Sequence, residues 1–279
     1  MDHPSLVERL TNVEHVGLDD LDGLVARLRR RRAVAGLVVW ASGAEGSQKP
    51  DSDLDLLLVL RTPELPFTFV TTWLGETLTE LQVVSLLDLH AVGAGTEPAT
   101  GWGPDLIIEA LRGQILLDPM GAVATAARLV NARELSAPTA MEAFENWRHA
   151  QYNVRQTRRY LASSDPDARL AVEARLLYSF HFLLIHYFTV RRLRWRGDKE
   201  ALRYWRQHEP ALLADWRAAL AEPDLDRKVA RYEACFDRVY GPLGGPAPLH
   251  LDLVQPGSTL TGDDAPERAF QAWNDLISG

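Results

Sequence analysis

The first half of the chain alternates short apolar runs with polar turns, a pattern typical of a protein built from strands and helices in turn. Helical spacing covers residues 21–30. Apolar runs predict strands at residues 35–42, Leu54–Leu60, 80–86 and 113–117. The run Leu54–Leu60 is almost continuously apolar, as expected for a strand covered on both faces. Residues 67–79 are ambiguous, and we expect them to be helical in part.

The pattern changes near residues 137–139. From there to about residue 240, apolar positions recur every three or four residues, which predicts helices. The second of these helices is apolar on nearly all sides, so we expect it at the centre of a bundle. A short last helix is expected over residues 265–277. The predicted organisation is an α/β domain over residues 1–136 and a helical domain over residues 137–279.

Composition narrows the classes of function. The 279 residues are 46% hydrophobic and 24% charged, as in ordinary globular proteins. The formal net charge of -8 argues against duplex nucleic acid as a partner, because binding phosphates requires an excess of Lys and Arg. The longest apolar stretch, residues 176–190, is too short to span a bilayer. We therefore expect a cytoplasmic protein that does not enter a membrane.

A polar turn between the first two predicted strands carries the candidate chemistry. Asp53 and Asp55 open the second strand two residues apart, and strand alternation places both carboxylates on one face. Two like charges side by side are unfavourable unless a cation lies between them. Carboxylates, a nearby serine and the N–H groups of a turn suit Mg²⁺ with a nucleoside triphosphate. Taken alone, the same tripeptide is also an ordinary polar turn before a strand.

The wider pattern resembles the signature of the nucleotidyltransferase superfamily related to DNA polymerase β. That signature consists of a strand, a Gly-Ser turn, about ten residues, and an Asp-x-Asp pair that opens the next strand. Here Ser42 matches the serine, and residues 50–56, PDSDLDL, match the second part without a gap. The stretch is most similar to minimal and antibiotic-type nucleotidyltransferases, including the kanamycin (aminoglycoside) type. A later segment, residues 111–129, is similar to a strand, turn and helix that follow the catalytic core in such proteins.

The resemblance implies an α+β fold, in which an N-terminal mixed β-sheet with flanking helices precedes a C-terminal helical bundle. It implies transfer of a nucleoside monophosphate, AMP from ATP or the corresponding group of another nucleoside triphosphate. The acceptor implied is a hydroxyl of a small molecule such as an aminoglycoside-like antibiotic, held by the helical domain. Two Mg²⁺ ions would be held by Asp53 and Asp55, and the nucleotide by Ser42, Gly43 and Ser52.

Two positions depart from the family pattern. Ala41 stands where relatives have the glycine before the serine. Gln82 stands where they have a third carboxylate on a following strand. Glu80 lies two residues before Gln82, on the same face of the predicted strand, and we expect it to serve as the third metal ligand. Asp88 is the less favoured alternative, since it lies beyond the strand.

The general base and the basic nucleotide contact are assigned from the same resemblance. Glu80 is one candidate for the base, and the helical domain offers Glu142 or Glu145, of which Glu145 is preferred. Lys199 is a candidate for a nucleotide contact near the start of a later helix. Solvated acids and bases on helix faces are the alternative interpretation of these residues.

Two other functions remain open. The departures at Ala41 and Gln82 also suit a catalytically weakened, nucleotidyltransferase-like module with a binding or regulatory role. A protein-modifying, antitoxin-type transferase would share the same core. The resemblance further allows a homodimer, because some relatives complete their site across two subunits.

Overall fold

The computed structural model describes residues 18–40, 53–248 and 250–278. The chain divides into two compact units, residues 1–136 and 137–279. The first unit is α+β with a mixed sheet, and the second is helical, so the predicted fold class is confirmed. No helix in the described ranges combines the length and the apolar character needed to cross a bilayer.

The first unit holds one five-stranded sheet with helices on both faces. Its elements in chain order are α1 (Leu21–Arg29), β1 (Val34–Trp40), β2 (Leu54–Leu60), β3 (Phe69–Leu74), β4 (Thr77–Ser85), α2 (Leu86–Ala94), α3 (Pro104–Leu111), β5 (Gln114–Leu117) and α4 (Ala122–Val130). The spatial order is β3-β4-β2-β1-β5. Strands β2 and β4 pair in parallel, and all other neighbours pair antiparallel.

The prediction of partial helix over residues 67–79 was wrong. This segment forms β3, a turn at Gly75 and Glu76, and the start of β4. Gly75 adopts a positive φ of 58°, which suits a tight hairpin turn and is rarely adopted by other residues. The residues on either side are rich in Thr, Val and aromatic side chains, which favour strands. Because β3 lies at the sheet edge, its apolar residues do not alternate as in a half-buried strand.

The two faces of the sheet bury separate cores. One face packs Leu37, Leu56, Leu58 and Val83 against α1. The opposite face buries Val38, Leu57, Val59 and Val84 beneath α2, α3 and α4. Gly36 of β1 allows α4 to approach this second face, since a Cβ there would collide with the Val123 side chain.

The second unit contains six α-helices in its described residues: α5 (Ala140–Leu161), α6 (Pro166–Val190), α7 (Asp198–His208), α8 (Pro210–Ala221), α9 (Leu225–Tyr240) and α10 (Ala265–Ser278). A short 3-10 helix, Gly241–Leu243, follows α9. Long side chains such as Leu183, Trp205 and Phe236 are buried in its core. Helix α6 supplies much of this core, as its apolar sequence predicted. One flank of α6 is nevertheless solvent-facing, with Leu170 and Leu177 exposed.

Candidate functional site

A row of polar side chains crosses the first unit at the point where β2 begins. In the sheet register, Asp55 of β2 lies opposite Glu80 of β4 on one side and Trp40 of β1 on the other. Thr71 of the edge strand β3 lies opposite Glu80. Paired residues of neighbouring strands point to the same face, and neighbouring strands lie about 4.8 Å apart. The register therefore makes Asp55 and Glu80 immediate neighbours.

This row lies at the open end of a face that is otherwise covered by helices. Asp55 alternates with Leu57 and Val59, which are fully buried in the core beneath α2, α3 and α4. Asp55 and Glu80 are half-buried, and Asp53 is exposed. The carboxylates thus lie at the start of β2, where the buried apolar residues of this face end.

The electrostatics of Asp55 are unfavourable to its charged form. Burial, followed by the negative charges of Asp53 and Glu80, raises the pKa of Asp55 from 3.8 to about 6. Each of these causes disfavours an ionised carboxylate, and a bound cation would reverse the effect of the neighbouring charges. Within the described parts of the chain, no hydrogen bond or ion pair to a cationic side chain offsets the charge of Asp53, Asp55 or Glu80. The cluster is therefore a negatively charged site without a protein counter-ion there.

The carboxylates fit Mg²⁺ chemically, although they do not form a preassembled cage. In the described ranges, no group of three or more His, Cys, Asp or Glu side chains is close enough to hold an ion. Mg²⁺, however, is usually bound through one or two carboxylates together with water and substrate phosphates. Asp53 and Asp55 supply this kind of donor set, and Glu80 stands beside it. The residues present thus fit a Mg²⁺ ion that keeps other oxygen ligands as well.

Gln82, which occupies the position expected for a third carboxylate, has a structural role instead. It lies opposite Leu57, one step further into the sheet than the Asp55–Glu80 pair. Its side chain is buried, and its Oε1 accepts a hydrogen bond from the Trp40 indole Nε1 at 3.3 Å. The carboxylate in register with Asp55 is Glu80, which shares its strand face with Gln82.

Asp88, the less favoured alternative for the third metal ligand, accepts hydrogen bonds from backbone N–H groups. It closes a capping box at the start of α2, where its Oδ2 accepts from the Ser85 N–H at 2.7 Å. Its Oδ1 accepts from the Ala99 and Thr100 N–H groups. Burial opposes ionisation of Asp88, but these hydrogen bonds outweigh it and lower its pKa. Asp88 therefore stabilises the start of α2 and the loop that follows α2, and Glu80 remains the candidate for the third ligand.

The nucleotide-binding residues predicted in the turn before β2 are Ser42, Gly43 and Ser52. All three lie outside the described residues, and so does Ala41. Their roles stay predictions.

The candidate bases in the second unit have local partners. Glu145 forms an ion pair with Arg148 on α5, at 2.9 Å. Glu142 belongs to a capping box, in which its carboxylate accepts from the Thr139 N–H and the Thr139 hydroxyl donates to the same carboxylate. Lys199 is exposed in the first turn of α7. Glu142 therefore caps α5, and Glu145 pairs within α5. Their roles as general bases stay predictions.

The sequence interpretation missed the contribution of the edge strand. Phe69, Thr71 and Trp73 of β3 pair with Gln82, Glu80 and Leu78 of β4. They therefore line the same face as the carboxylates, and all three are exposed. The available signal was the run of strand-forming residues at 69–74, followed by Gly75 as a hairpin turn.

The comparison with known proteins finds likeness among solved structures only. No protein family model matches the chain, and no curated protein matches it. The chain is similar to a solved structure described as a nucleotidyltransferase-like protein from Exiguobacterium sibiricum 255-15. The match covers 92% of this chain and 88% of that chain, with 10% sequence identity and a TM-score of 0.44. A match at this level does not allow individual residues to be transferred.

Proposed function

We propose that the chain is a Mg²⁺-dependent nucleotidyltransferase that transfers a nucleoside monophosphate, AMP from ATP in the first instance, to a hydroxyl of a small molecule. One observation carries the proposal. Asp55 lies in register with Glu80 and close to Asp53, and the three charges have no cationic partner in the described residues. The Asp-x-Asp signature before β2 supports the same conclusion from the sequence.

The residues of the chain have distinct parts in this reaction. Asp53 and Asp55 would hold Mg²⁺, which when bound stabilises charge on the phosphates. The acceptor oxygen forms a bond to the α-phosphorus as the bond to pyrophosphate breaks, and the hydroxyl proton passes to a carboxylate. Glu80 is the candidate for this base in the first unit, and Glu145 in the second.

The direct test is release of pyrophosphate. The purified protein would be incubated with Mg²⁺, each of ATP, GTP, CTP and UTP, and a panel of hydroxylated acceptors that includes aminoglycosides. We expect release with at least one pair, its loss on chelation of Mg²⁺, and its loss in Asp53→Asn. Glu233→Gln, which alters a carboxylate in the other unit, serves as the matched control and should retain activity. Activity that survives Asp53→Asn would refute the assignment of the metal site.

A second function is favoured by one contact. Gln82 occupies the position expected for a third carboxylate and is buried against Trp40. The protein therefore also suits a nucleotide-binding module of reduced activity. This alternative predicts binding of Mg-nucleotide without pyrophosphate release for any acceptor. A variant with Gln82→Glu would then not gain activity.

A further inference from the structure

The edge strand β3 exposes aromatic side chains beside the carboxylates. Trp73 is 61% exposed and Phe69 is 42% exposed. An edge strand that exposes large apolar side chains can pair with a strand of another chain unless something covers it. The Phe69 ring contacts Trp102, with ring centroids 6.1 Å apart. Among the described residues, no aromatic ring packs against the Trp73 indole, so a face of the indole is available for stacking.

In the sheet register, Trp73 lies close enough to the carboxylates for one small ligand to contact both. Trp73 pairs with Leu78, and Thr71, two residues earlier, pairs with Glu80. Asp53 immediately precedes the pair of Leu54 with Thr79, and therefore lies at the level of Leu78. Two strand spacings, about 10 Å, separate Trp73 from the line of Asp53 and Asp55. This distance is close to that between the ring and the phosphates of a nucleotide.

The chemistry of the surface changes over this distance. At one end, the carboxylates would hold a metal with phosphate oxygens or a hydroxyl group. At the other end, a flat indole offers stacking, which accepts any planar ring. Leu78 lies between Trp73 and Asp53. Thr71 lies beside Trp73 on β3, opposite Glu80, and offers a hydroxyl group to a sugar. A ligand with a planar ring at one end and phosphate or hydroxyl oxygens at the other matches this order.

We propose that Trp73, with Phe69 beside it, is a stacking platform for the planar ring of a ligand whose oxygen-bearing end lies at Asp53, Asp55 and Glu80. The proposal rests on the proposed function, and it adds a specificity-determining residue to that site. The ring comes from one of two sources, the nucleobase or an aromatic acceptor. Both present the same chemistry to the indole.

The test compares ligands with and without a ring. MgATP and Mg-tripolyphosphate would be titrated by calorimetry into the wild type, Trp73→Ala, Trp73→Phe and the control Trp273→Phe, which alters another exposed tryptophan. For a nucleobase, we expect Trp73→Ala to weaken MgATP roughly tenfold, the order expected for loss of one stacking contact. Binding of Mg-tripolyphosphate should not change, and Trp73→Phe should retain most of the affinity.

A second arm identifies an acceptor ring. With Mg-tripolyphosphate present, binding of a panel of planar, hydroxylated heteroaromatic compounds would be followed by ligand-observed NMR. If Trp73→Ala leaves MgATP unchanged but abolishes binding of these compounds, the ring belongs to the acceptor. If neither arm responds to Trp73→Ala, the platform is refuted. It is equally refuted if that variant changes only the oligomeric state in light scattering, because Trp73 then contacts a second copy.

Failure of the proposed function gives a different result. Asp55→Asn should abolish binding of Mg-tripolyphosphate while Trp73→Ala does not affect it. If Mg-tripolyphosphate fails to bind the wild type, the metal site is wrong, whatever the ring-bearing ligands do. If it binds in an Asp55-dependent way and both ring arms are unaffected by Trp73→Ala, only the platform is wrong.

Discussion

Acidic side chains have very different surroundings in the two units. In the helical unit they are paired with arginines: Glu233 with Arg158 at 2.7 Å, and Glu222 with Arg231 at 3.1 Å. In the α+β unit, Asp55 lies beside other carboxylates, and its pKa is raised by burial and by their charges. The paired acids need no ligand. The clustered acids have no such partner among the described residues, and this difference is the reason for proposing the start of β2 as the binding site.

Asp55→Asn should produce the largest effect. The variant removes a half-buried charge that burial and its neighbours disfavour, so the free protein should be as stable as the wild type or more stable. In the wild type, MgATP at 100 times its Kd should add about 2.7 kcal/mol to the free energy of unfolding. The variant should lose this gain. Thermal unfolding with and without MgATP measures both changes, and a variant that is still stabilised by MgATP would contradict the comparison.

Glu80→Gln should have a smaller effect on the same measurement. If Glu80 completes the metal site, its loss should weaken MgATP about tenfold, within the range found when groups that support a metal site are removed. Gln82→Leu is the matched control on the same strand face. It should cost about 1–2 kcal/mol of stability, because the Trp40 indole loses its acceptor, and should leave MgATP binding unchanged. Equal losses of binding in both variants would count against a role for Glu80.

The pH dependence of stability should distinguish the two units further. Asp55 has a pKa of about 6 when folded and 3.8 as its ordinary value, so the folded state binds more protons between these values. The contribution of Asp55 to stability therefore falls as the pH rises from about 4 to 6. The gain in stability of Asp55→Asn over the wild type should grow through this window. Melting curves from pH 4 to 7 test this, and a constant gain would show that the charge of Asp55 is not disfavoured.

Glu233→Gln should have the smallest effect. The Arg158–Glu233 pair is a two-bond contact between partly exposed side chains. Exposed pairs of this kind usually contribute about 0.2–1 kcal/mol. Chemical denaturation should show a loss of this size, and calorimetry should show no change in MgATP binding. A loss of nucleotide binding would contradict a purely local role for this pair.

Much of the first unit could be predicted from its apolar runs, because buried strands such as Leu54–Leu60 leave a strong local signal. The edge strand β3 left a weaker signal, a run of strand-forming residues before Gly75, since an exposed strand buries too little to show the usual alternation. The placement of Glu80 followed from the period of two along β4. Its register with Asp55 did not, because strand pairing is set by the whole sheet and not by either strand.

In the candidate site, too, local features could be predicted from the sequence and long-range contacts could not. The Asp53–Asp55 pair was visible from its spacing, whereas the contact between Gln82 and Trp40 joins residues 42 positions apart. Trp73 was missed for the same reason, as its nearness to the carboxylates depends on the hairpin of β3 and β4. Ser42, Gly43, Ser52, Glu145 and Lys199 stay predictions.

Calorimetric titration of MgATP at pH 7.5 into the wild type and into the double variant Asp53→Ala/Asp55→Ala tests the central claim most directly, because it needs no knowledge of the acceptor. We expect micromolar binding to the wild type, no binding to the double variant, and no binding to the wild type when EDTA removes Mg²⁺. Equal affinity for both proteins, or silence of the wild type toward ATP, GTP, CTP and UTP, would show that these carboxylates do not form a metal–nucleotide site.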